Sequence, residues 1–241
     1  MSNTALVPDG PAVQRVGFLA PMEHELQPLV RRLGLAGGGS RYEGRLGDLE
    51  VVAMLTNIGM AAAASATERM LDERVDWVVV VGIAGGVDPD IKIGDLVVPE
   101  VVIDRANHTE HTPSELGDVP ARGMLSCGDE LVIEPEALAA MAAAGVVAVD
   151  METAAVAAVC EHAGRPWSVF RSISDHTGEG LVDDALFAMT RPDGTADTDA
   201  LARYLEEDPG KVDVLARLAR DMTVATEAAA ELAIRSLAAL T

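Results

Sequence analysis

Residues 75–83, Val-Asp-Trp-Val-Val-Val-Val-Gly-Ile, constrain the fold of this chain more than any other stretch. The run is rich in β-branched residues, has no polar interruption beyond Asp76, and leads into Gly82-Ile83-Ala84-Gly85-Gly86. A strand without polar alternation has no face to offer to water. The run therefore predicts an interior strand covered on both sides, as in the sheets of α/β proteins.

The flanking sequence supplies the covering layers. Residues 15–20 form a second short apolar run, closed by Pro21. Apolar residues at Met22, Leu26, Leu29, Val30 and Leu33 then repeat with helical spacing, and Gly34 marks the stop. Glycines 37–39 predict a turn, and residues 41–46 and 49–56 a hairpin about Gly47-Asp48. Gly59 opens an alanine-rich helix running to about Leu71. Further strands are expected at 95–104, 123–127, 146–149 and 167–173, with helices at 135–144 and 152–163. Residues 105–122, which hold His108, His111, Pro113 and Pro120, are the longest irregular stretch and read as a surface loop or lid. Residues 178–198 are irregular, with a turn at Arg191-Pro192-Asp193-Gly194. Two helices close the chain, 201–220 with a break at Asp208-Pro209-Gly210, and 222–240. With a loose tail at 1–12 and neither repeat nor linker, 1–241 reads as one layered α/β domain.

Charge narrows the partners. Eighteen basic against 39 acidic residues give a net charge of −21, a field that repels phosphate backbones and anionic membrane surfaces. Nucleic acid and membrane are thus unexpected partners, and a neutral or cationic small molecule is acceptable. Cys127 and Cys160 lie in apolar surroundings without metal-ligand spacing, so buried free thiols are expected and no metal. The N-terminus lacks a basic start and a long apolar run, and no window has the apolar length of a membrane span. The expectation is a cytoplasmic protein.

Ligands of open α/β sheets bind beyond the carboxyl ends of the strands. Four strand ends here lead into polar residues: Met22-Glu23-His24-Glu25, the Gly85-Gly86 loop, Asp150-Met151-Glu152, and Ser172-Ile173-Ser174-Asp175. Each has a structural explanation when taken singly. Glu23, Glu25 and Glu152 suit the positive end of a helix dipole, Asp175 suits an N-cap, and a glycine pair suits a tight turn. Their joint occurrence at strand ends favours a site.

The same stretches resemble the nucleoside phosphorylase superfamily, and most closely its methylthioadenosine/S-adenosylhomocysteine nucleosidase branch. The matching segments begin with Val16-Gly17-Phe18-Leu19-Ala20-Pro21-Met22-Glu23-His24-Glu25 and Thr56-Asn57-Ile58-Gly59. Val81-Gly82-Ile83-Ala84-Gly85-Gly86 follows, with Ile93-Gly94-Asp95-Leu96-Val97-Val98 after it. Val149-Asp150-Met151-Glu152-Thr153-Ala154-Ala155 and Phe170-Arg171-Ser172-Ile173-Ser174-Asp175 complete the ordered set. The resemblance implies a three-layer α/β/α sandwich about a mixed, twisted sheet, a homo-oligomer (most simply a dimer), no cofactor, and cleavage of the N-glycosidic bond of a purine nucleoside. It implies Asp175 as the general acid serving N7 of the base and Glu25 as the carboxylate that activates water. Glu152 would grip the ribose hydroxyls and Met151 lie under the sugar, with Asp150 beside them. Ser174 and Arg171 would position Asp175, and Ile58, Ala84, Gly85, Leu131 and Val132 would line the substrate pocket.

The chain also departs from that pattern. Asp150 stands where the nucleosidases carry glutamate, and Leu131 where they place an aromatic ring that stacks on adenine, a contact worth about 1 kcal/mol. Residues 105–122 are shorter than their counterpart and, with His108 and His111, are expected to cover the 5′ side. The stretch from Arg191 to Asp221 resembles a hopanoid-associated phosphorylase group of the same superfamily. Hydrolysis and phosphorolysis are both open. The loops 21–25 and 84–90 hold several acids and no Arg or Lys, which favours water, although Arg45 or Arg105 would be the cation of an anion site. A non-catalytic nucleoside-binding protein is the third reading, and the paired Glu25 and Asp175 speak against it.

Overall fold

The computed structural model describes residues 13–88, 90–179, 189–191, 194–195 and 197–240. The tail 1–12 and most of the irregular stretch 178–198, including Pro192 and Asp193 of the expected turn, lie outside these. Strands are numbered β1 (Arg15–Ala20), β2 (Ala36–Gly38), β3 (Arg41–Leu46), β4 (Leu49–Leu55), β5 (Trp77–Gly86) and β6 (Leu96–Val97). They continue as β7 (Val101–Asp104), β8 (Glu110–His111), β9 (Met124–Cys127), β10 (Val146–Asp150) and β11 (Trp167–His176). The helices are α1 (Glu23–Leu33), α2 (Met60–Asp72), α3 (Pro135–Ala143), α4 (Thr153–His162), α5 (Thr198–Glu207) and α6 (Lys211–Ser236).

All these strands join one mixed sheet in the order β2-β3-β4-β1-β5-β10-β9-β7-β8, with β11 paired to β5 and β6. The apolar run 75–83 becomes β5, the strand on which the architecture turns. β1 runs parallel to its first half and β11 to its whole length, while β10 meets its last glycines antiparallel, Val149 opposite Gly85. The carboxyl ends of β1, β5, β10 and β11 thereby converge. Both faces of β5 are covered, as its sequence requires. On one face Val79 and Val81 pack with Leu26 and Leu29 of α1 and with Ala229, Leu232 and Ala233 of α6. On the other, Val78 and Val80 share a core with Ala63 and Met70 of α2 and with Ala154, Val156 and Ala157 of α4. Small side chains on α2 and α4 let these helices sit close together. The sandwich has the three layers expected.

Several boundaries differ from the sequence expectation. The glycines at 37 and 38 extend into β2, which pairs with β3, and the turn moves to residues 39–40. The expected strand 95–104 divides into β6 and β7 around Pro99, which has no N–H for a ladder. The last helix runs unbroken from Lys211 to Ser236, because nothing near Asp221 interrupts its propensity; the break falls at Asp208-Pro209-Gly210. Cys127 and Cys160 are buried free thiols, and burial pushes the Cys160 thiol up to about 12. Among the described residues no helix is long and apolar enough to cross a membrane, and no cluster of His, Cys, Asp or Glu could hold a metal ion.

Candidate active site

Each strand end delivers its carboxylate for a local reason. Glu25 is the third residue of α1, and its side chain reaches back to accept the Met22 N–H at 2.9 Å, as a glutamate in a capping box does. Its other oxygen accepts the Ile83 N–H of β5 at 2.8 Å. This approach depends on Gly82, where a Cβ would overlap Glu25 Oε1 and lie 2.6 Å from Arg171 Nη1. Glu152 sits at the N-cap position of α4, and its side chain, instead of capping the helix, accepts the Gly59 N–H at 3.1 Å, tying the β10 end to the turn before α2. Asn57, at φ 67°, and Gly59, at φ 102°, form that turn in backbone conformations that Asn and Gly tolerate.

Asp175 lies within β11 rather than at a helix N-cap. The register slips between Ile173 and Asp175, and this bulge sets Asp175 opposite Gly85. The Ser174 hydroxyl donates to Asp175 Oδ1 at 2.6 Å. Beneath these groups, Arg171 is wholly buried and serves three carboxylates. Its Nε donates to Asp150 Oδ2 at 2.9 Å, its Nη2 lies 3.2 Å from Glu152 Oε2, and its Nη1 is 3.8 Å from Glu25 Oε1. The expected contact between Arg171 and Asp175 is absent. Arg171 also does not line the cavity, because its guanidinium is drawn to the carboxylates on the β10 side.

The groups enclose a cavity of about 360 Å³. Glu25, Ile58, Ala84, Gly85, Leu131, Val132, Asp150, Met151, Glu152, Ser174 and Asp175 all line it, so every site residue that the resemblance implies, apart from Arg171, meets there. Sequence reasoning missed His24 and the wall formed by Leu215, Leu218, Ala219 and Met222 of α6. The α6 residues repeat with the spacing of any core-facing helix, so no signal separates cavity wall from core. His24 stood in a matching segment but had no assigned part. Its Nε2 is buried without a hydrogen-bond partner, and burial holds the imidazole below its ordinary pKa.

Of residues 105–122, only Arg105 reaches the cavity. Residues 106–122 therefore do not form the expected cover over the cavity. Glu110 and His111 instead pair with β7, and the buried His111 ring meets Glu161 of α4 at 2.8 Å. Leu116 joins the core beside α6. Among the described lining residues Arg105 is the only Arg or Lys, and its Nη2 donates to the carbonyls of Gly128 and Glu130. Arg45 is held by Glu50 and by the Asp48 carbonyl at the β3–β4 hairpin, and does not line the cavity.

Burial dominates the proton affinities here. It pushes Glu25 up to about 8, against the opposing pull of Arg171 and the Ile83 N–H. It pushes Glu152 up to about 7, again against Arg171. Burial also raises Asp175, with the Ser174 hydrogen bond opposing it. Carboxyls that titrate near neutrality can give or take a proton at working pH.

Comparison with known proteins agrees with this geometry. Two curated relatives are 5′-methylthioadenosine/S-adenosylhomocysteine nucleosidases. The one from Geobacillus kaustophilus is 29% identical over 201 residues, covering 68% of this chain and 86% of its own. The one from Colwellia psychrerythraea is 30% identical over 208 residues, covering 68% and 85%. The solved nucleosidase from Colwellia psychrerythraea 34H in complex with adenine superimposes with a TM-score of 0.69 at 25% identity, over 95% of this chain and 96% of that one. The futalosine hydrolase of Helicobacter pylori strain 26695 gives 0.71 at 21% identity, over 94% and 98%. The sequence profile of the phosphorylase superfamily matches residues 15–117 and 106–207, and with the sheet and its converging strand ends this places the chain: it belongs to the phosphorylase superfamily.

Proposed function

We propose that this chain is a nucleosidase, releasing the free base of a purine nucleoside by attack of water at C1′. The observation that carries the proposal is a single cavity ringed by Glu25, Glu152 and Asp175, three carboxyls of raised proton affinity, with no cation free to hold phosphate among its described lining residues. Breaking the glycosidic bond builds positive charge on the ribose and negative charge on the purine. Asp175, whose proton affinity burial raises, donates to N7 and makes the base a neutral leaving group. Glu25 takes the proton of the attacking water. Its two oxygens are fixed by the Met22 and Ile83 N–H groups, so the acceptor does not have to be ordered during the reaction. Glu152 holds the ribose hydroxyls, Met151 packs beneath the sugar, and Ile58, Leu131 and Val132 give the base an apolar slot. Arg171 and Asp150 support the carboxylates from behind, and Ser174 orients Asp175.

Phosphorolysis would need a charge-assisted anion site. Arg105 is already committed to carbonyl oxygens, and burial favours the neutral form of His24. The relatives' names point to 5′-modified adenosines as the first substrates to try. Leu131 offers no π-face, so we expect weaker preference for adenine than a stacking ring would give. We also propose a two-fold dimer in the cytoplasm, with the exposed Ala61, Ser65 and Glu68 side of α2 as one surface available for it. The deciding experiment is a screen of purine nucleosides for free-base release with and without phosphate. Release in phosphate-free buffer with free ribose or 5′-modified ribose as product is expected. A sugar 1-phosphate as the sole product refutes the hydrolytic reading.

A further inference from the structure

The proposed function gives Asp150 no proton to transfer, and its hydrogen bonds show it is occupied elsewhere. Its Oδ2 accepts from Arg171 Nε at 2.9 Å, lies 2.7 Å from Arg171 Nη2, and accepts the Thr153 hydroxyl. Its Oδ1 faces the Thr153 N–H at 3.4 Å. Thr153 is wholly buried and does not line the cavity. Its hydroxyl spends its single proton on Asp150 and accepts from Arg171 Nη2 at 3.2 Å. Carboxylate, hydroxyl and guanidinium thus close a three-membered ring of hydrogen bonds, with Arg171 and Thr153 behind the cavity and Asp150 at its wall. Arg171 Nε and Nη2 are consumed by this ring and by Glu152. Nη1 alone has no hydrogen-bond partner, and it stops 3.8 Å from Glu25 Oε1, beyond hydrogen-bonding distance.

We propose that Thr153 and Asp150 are positioning residues that hold the Arg171 guanidinium at a set distance from Glu25, close enough to stabilise its anion and too far to bind it as a salt bridge. This rests on the assignment of Glu25 as the proton acceptor. A base that is hydrogen-bonded to arginine is a weak base, and a base buried with no cation nearby never ionises. The Asp150–Thr153 ring holds Glu25 between these limits. It also accounts for a side chain one methylene shorter than glutamate at position 150: Arg171 and the Thr153 hydroxyl both reach the shorter carboxylate directly. The groups that set the field at Glu25 are Arg171 on β11 and Glu152 at the end of β10, with Asp150 behind Arg171; the Ile83 and Met22 N–H groups come from β5 and the start of α1.

Thr153→Val keeps the shape and the backbone N–H while removing the hydroxyl. Arg171 then loses one acceptor and Asp150 one donor, and the guanidinium is free to close on Glu25. The expected result is a midpoint for Glu25 lowered by at least half a pH unit, with the acid limb of the kcat profile moving by the same amount. The plateau kcat should fall by up to about threefold for each half unit, since the rate cannot change more steeply than the base strength, with KM changed less than kcat. Thr153→Ser, which restores the hydroxyl, should recover both midpoint and plateau. The Glu25 midpoint is read without turnover, from the carbon NMR titration of protein labelled at the glutamate carboxyl carbon. The signal is identified by its loss in Glu25→Gln. An unmoved Glu25 midpoint in a folded Thr153→Val protein overturns the proposal, as does a serine variant that behaves like valine. If no purine nucleoside is cleaved by the wild type, the proposed function fails, and the NMR midpoint still decides the positioning of Arg171.

Discussion

Gly82→Ala tests the site at its tightest point. A Cβ built at Gly82 overlaps Glu25 Oε1 and lies 2.6 Å from Arg171 Nη1 and 3.0 Å from Glu25 Cδ. The backbone there has φ 154°, which L side chains rarely adopt, and β5 is locked between β1, β10 and β11. Glu25 must therefore give way. Moving it breaks the 2.8 Å hydrogen bond from Ile83, and a hydrogen bond to a charged group is worth about 1.5–3 kcal/mol. For a chain of this length each kcal/mol shifts Tm by about 2–4 °C, so a fall of roughly 3–12 °C is expected. Displacing the proton acceptor by about 1 Å also costs on the order of 10²-fold in kcat. Thermal unfolding and free-base release on the purified variant measure the two effects. A folded Gly82→Ala protein with wild-type kcat and Tm within about 1 °C would show that Glu25 does not need its contact with β5, and would remove the basis for calling it a preorganised base.

Asp175→Asn should fold normally and lose about 10²- to 10⁴-fold in turnover, since an amide cannot protonate N7; wild-type turnover by the folded variant excludes Asp175 as the acid. Glu25→Gln should depress the rate as strongly and also change the pH dependence of stability. Glu25 titrates at about 8 folded against 4.5 unfolded, so the native state binds the extra proton between these values and stability falls as pH rises through that window. The decline in Tm from pH 5 to pH 8 should therefore be shallower in Glu25→Gln than in the wild type; an equal decline refutes the raised value. Leu131→Phe should raise kcat/KM for adenine nucleosides about tenfold, for a stacking gain near 1.4 kcal/mol, and leave other bases less affected. A uniform change across bases, or none, would place Leu131 away from the base.

The sequence made the sheet legible where burial alone dictates pattern. The run 75–83 could be nothing but an interior strand, and the four carboxylates following strand ends were visible because polar residues interrupt apolar runs there. Other features have no local signature. Gly82 reads as part of a glycine turn until Glu25, fifty-seven positions earlier, is seen resting against it. Arg171 and Asp175, four residues apart, would share a face of a regular strand, but the bulge between Ile173 and Asp175 breaks that alternation, setting Asp175 opposite Gly85 while Arg171 bonds Asp150 at the end of β10. Residues 105–122 hold polar and proline residues typical of lids. They nevertheless follow the sheet edge, because His111 finds a buried partner in Glu161 and Leu116 a place in the core.

The charge on the site explains why the chemistry suits water better than phosphate. Glu25, Asp150 and Glu152 surround one guanidinium, so at most one of the three is neutralised by it and each further ionisation is opposed by burial. Burial raises the proton affinity of Glu25 and Glu152, and the shared guanidinium opposes that rise. As the glycosidic bond breaks, positive charge grows on the ribose ring, inside the space these carboxyls enclose. In the proposed mechanism that charge stabilises the ionised carboxylate of Glu25, the form able to take the water's proton, and strengthens the hold of Glu152 on the hydroxyls. Interactions that strengthen only as the bond breaks lower the barrier rather than merely tightening binding. A phosphate dianion entering the same space would meet the carboxyls in the opposite sense, raising their proton affinity further and finding Arg105 already held by Gly128 and Glu130. A neutral water molecule bears no such penalty.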